Sequence, residues 1–257
     1  MKNLKILRAI GGIDDDLVER AGQKSIKKRV SFAPWLKWAI PAAACFALAV
    51  IAAPFLFNNI PGDGDFNLTL SSGNVSVRYA NNLPNLPSVS NSLACLTEDE
   101  LFHKHDTDIF GGIIREIRNI EIDFNGHSVY RALVKIEVTD VIRGNTKPGD
   151  VVSVLLPAPI RIKGLWVSDT EVISQMTTGM NGIFMPLRYT ETSKIEMNGA
   201  TLFLSEVAEY GLSDGERYAF LETSNGLVFA RWAYESIADA ATLEEVRQYI
   251  KTMIRQD

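Results

Sequence analysis

Hydrophobic and polar positions change their spacing twice along this chain. In residues 3–21 (NLKILRAIGGIDDDLVERA), Leu4, Leu7 and Ile10 recur at helical spacing with Lys2, Lys5 and Arg8 opposite. That pattern predicts a short amphipathic helix, ended by Gly11-Gly12. Asp14 then caps a second short helix carrying Leu17 and Val18, with acidic side chains near its positive N-terminus. Neither piece is long enough to bury a core alone. From Trp38 to Phe57 the pattern becomes continuous: WAIPAAACFALAVIAAPFLF is 20 residues without a charge. A helix of that length rises about 30 Å, the thickness of a bilayer's hydrocarbon core. In lipid the backbone must satisfy its own hydrogen bonds, so the run predicts a transmembrane helix. Pro41 falls in its first turn and Pro54 near its far end, and Trp35 and Trp38 stand where an aromatic belt anchors the near interface.

After the span the spacing shifts toward period two. Residues 58–96 are rich in Asn, Pro, Gly and Ser and predict a linker. Within it, Phe66–Leu70 and Val75–Tyr79 alternate around Ser72-Gly73 as a hairpin would. Thr97-Glu-Asp-Glu100 has capping-box spacing and predicts a helix to about Lys104. From Asp108 the pattern is β, punctuated by Asn125-Gly126, Asn181-Gly182, Asn198-Gly199 and Asn225-Gly226. Asn-Gly supplies the two φ > 0 residues of a type I′ hairpin turn. Three pairs have strand patterns on both sides: Ile120–Phe124 with Val129–Val141, Lys194–Met197 with Thr201–Leu204, and Tyr218–Glu222 with Leu227–Trp232. In the first hairpin Leu133, Ile136 and Val138 are expected to be buried, and Leu133 breaks the alternation, which predicts a bulge near Leu133–Val134. Lys147-Pro-Gly-Asp150 is a further turn before the strand Val151–Leu156. Thr242-Leu-Glu-Glu245 opens a C-terminal helix with Leu243, Val246, Ile250, Met253 and Ile254 on one face. The expected fold class is mainly β: a single transmembrane helix, then an antiparallel small barrel or sandwich with a C-terminal helix.

Charge orients the span. The chain carries 26 Lys+Arg against 31 Asp+Glu, a net of −5. Residues 1–37 hold nine basic and four acidic side chains, whereas residues 38–257 hold 17 and 27. Lys24, Lys27, Lys28, Arg29 and Lys37 precede the span closely, while the first basic residue beyond it is Arg78. The positive-inside rule puts the head in the cytoplasm and the remainder outside. The expected organisation is a cytoplasmic basic head (1–34), a transmembrane helix (35–57), a linker with a hairpin (58–96) and an extracytoplasmic β-rich domain (97–257). A cleaved signal peptide fits less well, because the head is longer than a usual n-region and the run longer than a usual h-region. Cys45 lies inside the run and Cys95 beyond it, so the two are not expected to pair. The acidic body argues against nucleic acid as a partner.

Candidate chemistry is sparse. His103, His105, Asp106 and Asp108 are the one cluster of metal-ligand types. On a helix end, residues two apart diverge by about 200°, so these side chains are not expected to form a metal site. There is no Gly-x-Ser-x-Gly, and Ser25-Ile-Lys-Lys28 lies in the basic head. His127 stands beside a hairpin turn, and the carboxylate pairs Glu206/Glu209 and Glu244/Glu245 are expected on solvated surfaces. Gly111-Gly112 and Gly179-x-x-Gly182 lack the context of a phosphate loop. Trp166, Phe229, Trp232 and Tyr234 are the residue types of a carbohydrate groove, but strand aromatics are more often core. No catalytic, cofactor or metal residues are expected.

Two stretches resemble known proteins. Ala9-Ile-Gly-Gly-Ile-Asp-Asp-Asp-Leu-Val-Glu-Arg-Ala21, followed by a Lys/Arg cluster and one span, resembles the N-terminal region of uncharacterised single-pass membrane proteins of clostridial gut bacteria, some with the layout of anti-sigma factors. This head lacks the His and Cys-x-x-Cys of the zinc-binding kind, so the resemblance implies a zinc-free head that engages a sigma factor or another cytoplasmic partner. Gly112–Ile117, Val134–Gly144 and Lys147–Val154 are similar to a repeated pattern of secreted Gram-positive proteins and imply an oligonucleotide-binding-like small barrel. Such barrels host many functions. Together these features predict a non-enzymatic membrane protein, anchored in the bilayer through Trp38–Phe57, that displays a β-rich binding or sensing domain to an envelope ligand or protein. A transmembrane regulator is the alternative, and an envelope hydrolase ranks below both because the chain lacks a catalytic set.

Overall fold

The longest element is a hairpin. β3 (Ile109–Phe124) and β4 (His127–Arg143) pair antiparallel across the two-residue turn Asn125-Gly126, whose φ values of 52° and 87° are those of a type I′ turn. In the computed structural model, residues 67–68, 70, 73–80, 93–160 and 169–255 are described. The 1–34 head, the apolar run Trp38–Phe57, most of the linker and Trp166 lie outside them. Among the described residues no helix is long and apolar enough to cross a membrane.

Eight further strands extend this hairpin into one sheet of ten. β5 (Val151–Leu156) follows β4 across the Lys147–Asp150 turn, where the Asp150 N–H donates to the Lys147 carbonyl at 3.0 Å. On the other side, β6 (Asn181–Phe184) pairs with the start of β3, and β2 (Val75–Tyr79) pairs with its end, Val75 opposite Phe124. β1 (Asn67–Leu68) closes onto β2. β1 and β2 thus belong to the sheet rather than to a linker leading to it. β7 (Leu187–Arg188) and β10 (Tyr210–Gly211) extend the sheet past β5, and β11 (Ala219–Thr223) with β12 (Gly226–Val228) extends it past β6. β8 (Lys194–Met197) and β9 (Ala200–Phe203) form a separate hairpin through Asn198-Gly199, φ 48° and 72°.

The result is a mainly β fold, a curled half-barrel with a C-terminal helix. It departs from an all-antiparallel barrel in two ways. β10 runs parallel to β5, and the sheet's end strands β12 and β7 are not paired with each other. The helices form where their capping boxes predict: α1 (Glu98–His103) behind Thr97 and α2 (Leu243–Met253) behind Thr242, with Val246 and Ile250 fully buried.

The sheet is covered on both faces, which corrects the position of the bulge. Leu133 and Val134 pair in unbroken register with Arg118 and Ile117. Both are buried because they serve two separate clusters: Val134 packs with Phe110, Ile114 and Ile136, and Leu133 with Ile120, Ile122 and Phe124. The break falls on the partner strand, where Ile114 faces Ile136, Glu116 faces Lys135, and Arg115 is the unpaired extra residue. Thr139 and Ile142 are skipped in the same way on β4. α1, α2 and short 3-10 turns cover the first cluster; the β8–β9 hairpin, through Ala200 and Leu202, covers the second.

The last hairpin also differs. Gly226 has φ 112°, but Asn225 does not enter the left-handed region, and Thr223 pairs with Gly226. The loop residues are therefore Ser224-Asn225, closed by the Thr223 hydroxyl, which accepts the Asn225 N–H at 3.1 Å and donates to the Gly226 carbonyl at 2.8 Å. Strand β12 stops at Val228, and Arg231–Ala233 turns into a 3-10 helix.

Candidate functional site

That early end of β12 releases Trp232 from strand geometry. Phe229 and Tyr234 are buried, as aromatic strand residues are expected to be, whereas Trp232 is 58 % exposed. It stands on a cleft of 480 Å³ lined by Asp169, Glu171, Gln175, Glu216 and the 228–232 segment. Arg231 leaves the cleft wall apolar on this side: its guanidinium stacks over the Phe229 ring at 4.5 Å and donates to the carbonyls of Leu227, Ala238 and Ala240.

The acidic wall comes from two loops. Glu216, 5 % exposed, lies in the turn after β10, and its carboxylate accepts the backbone N–H of Glu171. Burial, and then the Glu171 carboxyl, push Glu216 up to about 8, while the hydrogen bond from Glu216 holds Glu171 below the usual range. Asp169 has φ 58°, and its Oδ2 is out of water with no hydrogen-bond partner among the described residues. Behind the loop, Asp214 accepts the N–H groups of Glu216 and Arg217 and pairs with the Arg217 guanidinium at 2.8 Å, both side chains buried. Arg217 in turn donates to the Ala94 carbonyl, and its own carbonyl accepts the Tyr234 hydroxyl.

The other candidates disperse. α1 ends at His103, whose Nδ1 lies 3.0 Å from the Asp99 carbonyl and carboxylate, and His105 follows the cap residue Lys104. Asp108 is drawn inward instead: its Oδ2 is 2.8 Å from both Arg188 and the Tyr210 hydroxyl, and Arg188 lies over the Tyr210 ring at 4.8 Å. Burial, reinforced by Asp108, raises Tyr210. Among the described residues no group of three or more His, Cys, Asp or Glu side chains converges to hold a metal. His127 opens β4 and is exposed, and Cys95 is an exposed free thiol. Glu209 accepts from the Ser153 N–H, Glu245 completes the α2 cap, and Glu244 pairs with Arg247 and Gln248, so neither sequence-adjacent pair becomes a site.

The Glu171–Glu216 contact joins residues 45 apart in sequence. No local spacing announces it; only the turn-forming Asp214-Gly215 beside Glu216 hints at a constrained loop. No family model, no curated protein and no solved structure matches the chain.

Proposed function

We infer that this is a single-pass membrane protein that displays its β-rich unit outside a bacterial plasma membrane and binds an envelope ligand in the Trp232 cleft. The exposure of Trp232 carries the reading. A large aromatic held beside a concave, partly polar wall is the arrangement that ligand sites share. A saccharide suits it best: the indole face takes sugar C–H groups, and Glu171, Gln175 and Asp169 accept or share its hydroxyls. The acidic pair supports binding over hydrolysis. Glycosidase carboxyls stand about 5 to 9.5 Å apart with substrate or water between them, whereas Glu216 is buried and its carboxylate is taken up by the Glu171 backbone N–H. The uncharged run Trp38–Phe57 with basic residues only before it supports the topology, and the pattern of Gly112–Val154 relates the curled sheet to oligonucleotide-binding-like barrels.

The resemblance of Ala9–Ala21 favours a second role, in which the head holds a sigma factor or another cytoplasmic protein. Recovery of such a partner on the immobilised 1–34 segment tests that role separately.

Protease added to intact spheroplasts should remove residues 58–257 and spare the head; loss of the head instead overturns the topology. Detergent-solubilised full-length protein should bind purified cell-wall glycan. Trp232→Ala should weaken that binding roughly tenfold or more with the fold intact. Equal retention of the variant and the wild type would remove the cleft from the binding reading.

A further inference from the structure

A second cleft adjoins the first. It has a volume of 420 Å³ and is lined by Gln175, the turn Thr177–Met180 and the residues Glu222–Asn225 where β11 turns into β12. Gln175 belongs to both linings. Glu216 aside, the same two stretches of chain bound both clefts: 169–180 on one side and 222–232 on the other. β12 runs from one cleft to the other. Asn225, just before it, lines the second, and Val228, its last residue, lines the first. At roughly 3.3 Å per residue, about 10 Å of strand separates them. Backbone bonds fix both walls. The Gln175 N–H donates to the Val172 carbonyl at 3.1 Å, the Met180 N–H to the Thr177 carbonyl at 3.1 Å, and the Gly179 N–H to the Ile114 carbonyl of β3 at 2.7 Å. Opposite, the Thr223 hydroxyl closes the Ser224-Asn225 loop, and the Glu222 carboxylate accepts the Asn181 amide at 3.0 Å. The clefts therefore stand formed without a ligand, and each has the volume of a small-molecule site. Gln175, Thr178, Ser224 and Asn225 are exposed, and their hydroxyl and amide groups both donate and accept, as the hydroxyl edge of a sugar requires. A peptide strand would need the outer edge of β12 instead, where the Leu227 carbonyl is already taken by the Arg231 guanidinium.

We propose that the two clefts are successive subsites of one groove that takes a linear glycan, with Trp232 stacking on one sugar and Gln175, Thr178 and Asn225 bonding the units that follow along the chain. This rests on the saccharide reading of the Trp232 cleft and adds the class of ligand: a polymer of several linked sugars rather than a single sugar or a pair. Gln175 stands at the junction, where its amide serves the sugars on either side. Affinity then accumulates unit by unit along the groove, because each further sugar finds hydroxyl and amide partners already in place.

Cell-wall glycan strands, stripped of peptide and separated by length from disaccharide to octasaccharide, test the groove on detergent-solubilised full-length protein. Affinity should rise roughly tenfold or more from the shortest strand to the longest. Combining Thr178→Ala with Asn225→Ala, both at exposed loop positions, should remove most of that rise. Should the double variant not fold, Gln175→Ala at the junction serves, and it too should flatten the dependence on length. Trp232→Ala should weaken the binding of every strand. A wild-type affinity that does not grow with length, or a rise that persists unchanged in the folded variant, overturns the groove and leaves the Trp232 cleft standing as a site for a short saccharide. Binding confined to strands that still carry peptide also overturns it, in favour of a peptide ligand. No binding of any strand, short or long, sinks the saccharide reading of the cleft and the groove with it.

Discussion

Gly144 sits directly over the carboxylate of Asp108. A Cβ added at Gly144 would lie 2.4 Å from the Asp108 Cγ, and the glycine's φ is 116°. The carboxylate has nowhere to go, because Arg188 and the Tyr210 hydroxyl each hold it at 2.8 Å. Gly144→Ala should therefore combine backbone strain with a broken buried network, at a cost on the order of 2–3 kcal/mol. In thermal melts that is a fall of roughly 5–10 °C for a unit of this size. An unchanged melting temperature would show that the β4 end relaxes away from Asp108.

Asn125 and Asn225 precede glycines in look-alike hairpins but differ in conformation. Asn125 is left-handed and Asn225 is not. Asn125→Ala should cost about 1–2 kcal/mol, since alanine pays the Cβ penalty there. Asn225→Ala should stay within about 0.5 kcal/mol of wild type. Denaturant midpoints of the two variants make the comparison, and equal losses would contradict the two turn types.

Glu98 ties the two helices together. Its carboxylate accepts the Tyr249 hydroxyl and the Ser236 N–H. Burial works against its ionisation, but those hydrogen bonds outweigh it and hold the carboxyl below its usual range. A carboxyl depressed in the folded state contributes stability above the ordinary carboxylate range and loses it as pH falls through the folded value. Tyr249→Phe should then cost about 1 kcal/mol at neutral pH, given the partial exposure of the pair, and the penalty should shrink toward zero on acidification. A penalty that is constant across an acid titration would assign the effect to packing of the Tyr249 ring against Phe102 and Tyr234.

Elements whose cause is local were legible in the sequence. Thr97 and Thr242 announce their helices because a capping box is complete within four residues, and Asn125-Gly126 announces its turn. What depends on distant partners was not. Leu133 looked like an error in the alternation because the second cluster it enters is built from β2, β5 and β9, far away in the chain. Trp232 looked like a strand aromatic because nothing near it shows that β12 ends at Val228. The Glu171–Glu216 contact is closed by the meeting of two loops that only the folded sheet brings together.

The bulge at Arg115 gives β3 two reading frames. Phe110 and Ile114 share their even numbering with Ile120, Ile122 and Phe124, yet the first pair serves one cluster and the second set the other. Arg115 is the punctuation between the frames. Losing or gaining a single residue in this strand would act as a spatial frameshift, turning one set of apolar side chains toward the wrong cluster. Length changes in the long hairpin are therefore admissible only in even steps, or as a loss matched by a gain within the same frame. Its evolution is quantised in residue pairs.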